Sequence, residues 1–174
     1  MNRISRIVLV GGSLVAIALM TAGCPDLCCN TARGGGSILI ADPGGGSHKA
    51  TFGFQLVCKP TDDPLAPKVS GQFEYQDHAA KDAKGKPMNV SIHGVAKAAG
   101  ESDPQCTSTQ AVFVGDYRPQ PESLGAGGRF TVSVEDKGKP GLSDGDTFML
   151  VLEGGVFNGY SSQGTLAGGN IKTF

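Results

Sequence analysis

The strongest constraint on this chain is a repeat of period two. "TFGFQLVC" sets Phe52, Phe54, Leu56 and Cys58 on one side of an extended backbone, with Thr51, Gly53 and Gln55 on the other. "VSGQFEYQ" sets Val69, Phe73 and Tyr75 against Ser70, Gln72, Glu74 and Gln76. "MNVSIHGV" alternates Met88, Val90 and Ile92 with Asn89, Ser91 and His93, and "RFTVSVED" alternates Phe130, Val132 and Val134 with Thr131, Ser133 and Glu135. Successive side chains of a strand point to opposite faces, so each segment has one face for a core and one for water. "TQAVFVGDY" and "TFMLVLE" are more evenly apolar and read as central strands, while "SILIAD" and "GTLAGGNIKTF" complete a set of about eight or nine. Turn-rich stretches such as "KPTDDPLAPK", "RPQPESLGAGG" and "KGKPGLSDGD" separate them. The expected fold is all-β, an antiparallel barrel of eight or nine strands with a β-sandwich as the alternative. No stretch carries a sustained helical period; a short helix fits only residues 77–84 or 96–103.

One internal echo favours the barrel. "GGGSILI" opens the body and "GGNIKTF" ends it, each with paired glycines, a polar residue and then Ile. Glycine pairs let backbones approach closely where a sheet bends shut. The first and last strands are therefore expected side by side. The six inward phenylalanines, Phe52, Phe54, Phe73, Phe113, Phe130 and Phe148, are enough to fill such a barrel without a cavity. The last strand carries Asn170 and Lys172 on the side of Phe174, which speaks against a lipid-facing wall.

The chain begins differently. Arg3 and Arg6 precede an apolar run from Ile7 to Ala22, the layout of a secretory signal and too short for a stable membrane span. The run exits through "ALMTAGC", which resembles the lipobox of bacterial lipoproteins, with Thr21 where Leu is usual. Cys24 is thus the expected lipidation site, ordinary cleavage after Ala22 or Gly23 being the alternative. The expected division is a signal peptide over 1–23, a lipid-anchor tether over 24–35 and a β domain over 36–174. Two or three acyl chains on Cys24 would hold the chain firmly, since one chain binds only weakly. Loss of Arg3 and Arg6 leaves 13 of the 15 basic residues against 16 acidic ones, a net charge near −3. No basic run suggests nucleic acid or anionic lipid as a partner, so the membrane is expected to be met through the anchor alone. The 27 glycines favour turns over helices, and the apolar residues are too regularly placed for disorder.

An exported chain meets an oxidising compartment, so its remaining cysteines tend to pair. Cys28, Cys29, Cys58 and Cys106 allow three connectivities. Cys58 with Cys106 is the favoured bridge, because Cys28 and Cys29 are adjacent and sit in the short tether. Pairing of Cys58 and Cys106 with members of that tether pair, or a metal site in "CPDLCC", are the alternatives.

Residues with chemistry are sparse. His48 is expected in a glycine-rich loop, "GGGSHK", His78 follows Asp77 at a strand end, and His93 is on the polar face of its strand. Asp77 or Asp116 with His78 or His93 could form part of a hydrolytic triad, but there is no nucleophile elbow, and Asp77 is equally suited to capping a turn. "EDKGKPGLSDGD" gathers Glu135, Asp136, Asp144 and Asp146; Asp136, Asp144 and Asp146 form the best calcium candidate, although their spacing matches neither the EF-hand loop nor the nonapeptide calcium repeat.

The segments "ATFGFQL", "GQFEYQDH", "SIHG", "GRFTVSVEDKGKPGLSDGDTFMLVL" and "GTLAGGNI" together resemble a bacterial extracellular module called the post-COAP domain, over residues 34–174. That resemblance implies a secreted β domain and no particular activity. The expectation is a cell-envelope lipoprotein facing the periplasm or exterior, a binding or structural module without a cofactor. A carrier of a small apolar ligand, or less directly a hydrolase using His78 or His93, are the rival functions.

Overall fold

The computed structural model describes residues 31–42, 45–59, 68–82, 84–97, 109–138 and 145–174, the side chains of Cys58 and Lys68 excepted. Eight strands follow one another: β1 (Thr31–Ala41), β2 (Ser47–Lys59), β3 (Lys68–Asp77), β4 (Val90–Lys97), β5 (Gln110–Pro119), β6 (Gly128–Glu135), β7 (Thr147–Glu153) and β8 (Ser161–Thr173). Each pairs antiparallel with the next, and β8 returns to β1, closing the barrel. Two single 3-10 turns, at Glu122–Leu124 and Gly155–Phe157, are the helical elements among the described residues. The described residues of 77–84 form a strand end and turns rather than a helix. The first strand starts at Thr31, so residues 31–35, expected in the tether, belong to the barrel. His48 likewise belongs to β2 and not to a loop.

Closure depends on the two glycine runs. Gly36 stands opposite Gly169 and Gly35 opposite Asn170, and the register shifts between Ser37 and Ile38. A Cβ on Gly36 would lie 2.3 Å from the Gly168 carbonyl oxygen, and one on Gly169 2.1 Å from that of Gly35. Gly169 also has φ +102°, a conformation side chains rarely adopt. Larger residues would hold the strands apart at the bulge that lets the sheet bend shut.

The alternating segments point as their period requires. Phe52, Phe54, Leu56, Phe73, Tyr75, Ile92, Phe113, Phe130, Val132, Phe148 and Leu150 are all buried. Their rings occupy the inside of the barrel: Phe52 stacks on Phe148 at 4.0 Å, and Phe73 lies 5.1 Å from Phe130. Burying such a side chain contributes about 1.5–3 kcal/mol. The outer positions carry Lys49, Gln55, Gln72, Glu74, Lys97, Asp116 and Arg118, a wall suited to water rather than hydrocarbon.

Glycine also makes room for rings. Gly94 and Gly115 flank Phe130, and a Cβ on Gly94 would come within 2.6 Å of the Phe130 ring. That ring is buried and packed on others, so it cannot yield freely. Gly94→Ala should lower unfolding free energy by about 1–3 kcal/mol in urea. Gly53→Ala, where nothing lies within 4 Å, should stay within about 0.5 kcal/mol of the parent. Equal losses at the two positions would show that the collision with Phe130 is not what matters.

Candidate functional site

The barrel has two ends. Thr31, Lys59, Lys97, Gln110, Glu135 and Thr173 lie at or near the one where the chain enters. The other is formed by the turn after β1, the loop after β3, the loop after β5 and the loop between β7 and β8. At this second end a cleft of about 760 Å³ opens among Ile40, His48, Lys81, Met88, Phe157 and Tyr160.

A buried carboxylate organises it. Asp77 ends β3 on the inward parity set by Phe73 and Tyr75, so its side chain turns into the barrel mouth and is 1% exposed. Its Oδ1 accepts from the Ala79 amide at 3.0 Å, the turn-capping role expected of it. Its Oδ2 accepts from the Tyr160 hydroxyl at 2.7 Å and lies 3.1 Å from His48 Nε2. The Tyr160 proton is committed to Asp77, so Tyr75 donates in the 2.6 Å bond between the two hydroxyls. His48 Nδ1 faces Asp42 Oδ1 at 3.0 Å, and Lys81 Nζ is 3.9 Å from the same oxygen. A neutral imidazole donates through one nitrogen only; donating to both carboxylates takes the doubly protonated ring. The result is a chain of polar groups running from the core to the surface. Ser162 Oγ, buried beside Tyr75, makes no well-formed hydrogen bond among the described residues.

Loop ends are held by the same means. The Tyr117 hydroxyl donates to the Gly154 carbonyl at 2.7 Å and accepts from the Phe157 amide at 3.3 Å, fixing the loop between β7 and β8. Burial raises Tyr117 above its ordinary value. Burial pushes Tyr75 up to about 12. Tyr160 is raised as well, by burial first and then by the nearby Tyr75 and Asp77.

Of the residues singled out from the sequence, Asp77 and His48 meet in this cleft, and the others lie elsewhere. His78 is exposed, its Nδ1 2.9 Å from Asn89 Oδ1. His93 is on the outer wall, 3.5 Å from the exposed Glu74. Asp116 pairs with Lys97 on that wall. The fold does not bring these groups into one cleft. Asp146 is buried at the entry end and accepts from the amides of Lys137 (3.0 Å) and Ile171 (2.7 Å), tying the connection before β7 to the closing strand. Asp136 accepts from Gly138 and, more weakly, from Thr173. Both carboxylates thus serve backbone amides, and Asp144 lies outside the described residues. Among the described residues no three His, Cys, Asp or Glu side chains group as metal ligands. Cys24, Cys28, Cys29 and Cys106 lie outside the described residues, as does the side chain of Cys58.

Fold and site together define a small closed antiparallel barrel with a ring-filled interior and a polar cleft at one mouth. No family model, curated protein or solved structure matches the chain.

All three tyrosines of the chain hold their protons more tightly folded than unfolded. The unfolded chain releases such protons first, so folding stability is full below about pH 10 and falls as pH climbs toward 12. Absorbance titration should show fewer than half of the tyrosines ionised at pH 10 while the fold persists. A full three-tyrosine transition at pH 10 with the circular dichroism of the fold intact would contradict the burial described.

Proposed function

We propose that this chain is a cell-envelope lipoprotein, held by acyl chains on Cys24 and facing the periplasm or exterior, that acts as a binding or structural module without catalysis. The observation that carries this reading is the polarity of the barrel. The strand that follows Cys24 enters at one end, and the Asp42–His48–Asp77–Tyr160 cleft opens at the opposite end. A ligand met there would be met away from the anchor. β1 alone, 11 residues long, rises roughly 35 Å along its own direction.

The charged start, the apolar run and the "TAGC" junction support export and lipidation. The resemblance to the post-COAP domain supports an extracellular β module. A Cys58–Cys106 bridge belongs to the same reading. Cys58 is next to the last residue of β2, and Cys106 falls in the connection from Lys97 to Gln110, whose two ends reach the same end of the barrel. The ring-filled interior favours ligand contact at the mouth over carriage of an apolar molecule inside.

Peptide mass mapping of the unreduced, envelope-purified protein should find Cys24 as an acylated N-terminus and Cys58 linked to Cys106. A Cys24→Ser protein should appear in the soluble fraction; one still acylated and membrane-bound would remove the anchor from this reading.

Fragment screening by NMR should perturb the amides of His48, Lys81 and Tyr160 and spare those of Phe73 and Phe113. Shifts centred on the interior phenylalanines would instead favour the carrier.

A further inference from the structure

The sequence contains no basic run, yet the fold assembles a basic surface. Arg33 and Lys172 are more than a hundred residues apart in the chain and directly opposite in the β1–β8 register. On the other side of Arg33 stands Gln55. One step along the wall, Gly35 lies between Gly53 and Asn170. The outcome is a shallow depression of about 480 Å³ lined by Arg33, Gly34, Phe54, Gln55, Asn170 and Lys172. Two cations and two amides border it, glycine backbone lies among them, and its lining includes no acid.

The counter-charge is missing. Elsewhere on the wall Lys97 meets Asp116, Arg118 meets Glu122 and Lys137 meets Glu135. Among the described residues no carboxylate lies within 4.0 Å of Arg33 or Lys172. Like charges directly opposite across a strand pair repel and destabilise the sheet. An anion seated between them removes that repulsion. Lys59, exposed at the nearby end of β2, adds a further base on this side of the barrel. Phe174, 56% exposed, lies under the Arg33 guanidinium at 5.4 Å, an aromatic ring beside cations at the rim.

Position decides what the anion is. Thr31 is seven positions after Cys24, a span of at most about 25 Å fully extended. An acyl anchor on Cys24 therefore keeps this end of the barrel within reach of the bilayer surface. We infer that the Arg33–Lys172 face docks on the membrane by binding the phosphate of an anionic lipid headgroup. This rests on the anchor reading for the choice of lipid over free phosphate; the charge arrangement stands without it. Docking at two points, anchor and face, would fix the barrel's orientation and turn the cleft outward.

The test uses the purified Cys24→Ser protein, so that no acyl chain contributes. It should float with vesicles of phosphatidylcholine containing phosphatidylglycerol, and not with phosphatidylcholine alone. Binding should weaken as salt rises past about 0.15 M. Arg33→Gln with Lys172→Gln should lower the partition coefficient about tenfold or more. Lys84→Gln with Lys86→Gln, the same charge change at the far end, should leave it unaltered. Both side-chain pairs are exposed, and superimposable melting curves confirm that each variant is folded. Absence of flotation with anionic vesicles, or equal losses in the two double variants, overturns the proposal. Inorganic phosphate shifting the Arg33, Asn170 and Lys172 amides without vesicle binding also overturns it, and assigns a free anion instead. Vesicle binding by the unacylated protein does not depend on whether Cys24 is modified, so failure of the anchor reading is scored separately by mass mapping.

Discussion

The structure depends on the contact between Gly36 and Gly169. Every other strand pair joins neighbours in sequence, through a connection of modest length. The β1–β8 pair joins the two ends of the body, so its formation orders the whole intervening chain and carries the largest entropic cost of any pairing. The inward faces can meet around a common column only if that pair forms. Phe52 and Phe148 come from β2 and β7, on either side of the seam, and stack at 4.0 Å across the inside. The seam and the aromatic column are therefore coupled: closure brings the rings together, and ring burial supplies the free energy that closure requires. Two glycines without side chains at the crossing are the condition for both.

The same geometry decides how the mouth is finished. A closed barrel has no sheet edge, but its ends still present inward-facing positions that apolar rings do not cover. At the mouth those positions hold Asp77 and His48. A carboxylate that is 1% exposed is tolerable only with its acceptors filled, and Asp77 takes an amide, a tyrosine hydroxyl and a histidine nitrogen from three different segments. At the entry end Asp146 does the corresponding work on backbone amides. Each end is thus closed by one buried acid, with a different set of donors. The mouth set leaves further polar groups, Asp42 and Lys81, facing a cavity.

Much of the fold was legible because period two is a strict rule. Parity assigned the faces of β2, β3 and β6 residue by residue, and the glycine echo identified which strands meet. The start of β1 was missed because "TARGG" has no alternation; glycines there serve the β1–β8 contact and carry no hydropathy signal. The cleft was not foreseen, although its signal was present. His48 shares parity with Ala50, Phe52 and Phe54, and Asp77 shares it with Phe73 and Tyr75. A charged or ring-nitrogen residue on the inward parity at a strand end marks a barrel mouth. His78 and His93, by contrast, sit on outward positions and meet single surface partners. What parity cannot supply is which strand ends converge, since Tyr160 reaches Asp77 from 83 residues away.

The basic wall was illegible for a related reason. A sequence scan finds charge where it is contiguous, and Arg33 and Lys172 are contiguous only across the seam. No basic run exists along the chain, while in space the fold sets Arg33 opposite Lys172. The constraint that closes the barrel also creates the patch: it sets Arg33 directly opposite Lys172, and glycine at 35 and 53 leaves the wall beside them without side chains. Small residues needed for backbone approach leave a flat floor on the outside as well as room on the inside. A single stretch of glycine thereby serves closure, ring packing and the exposure of two cations that meet no carboxylate among the described residues. Substitutions along "RGGG" affect all three together, whereas changing Arg33 or Lys172 alone separates the surface from the fold.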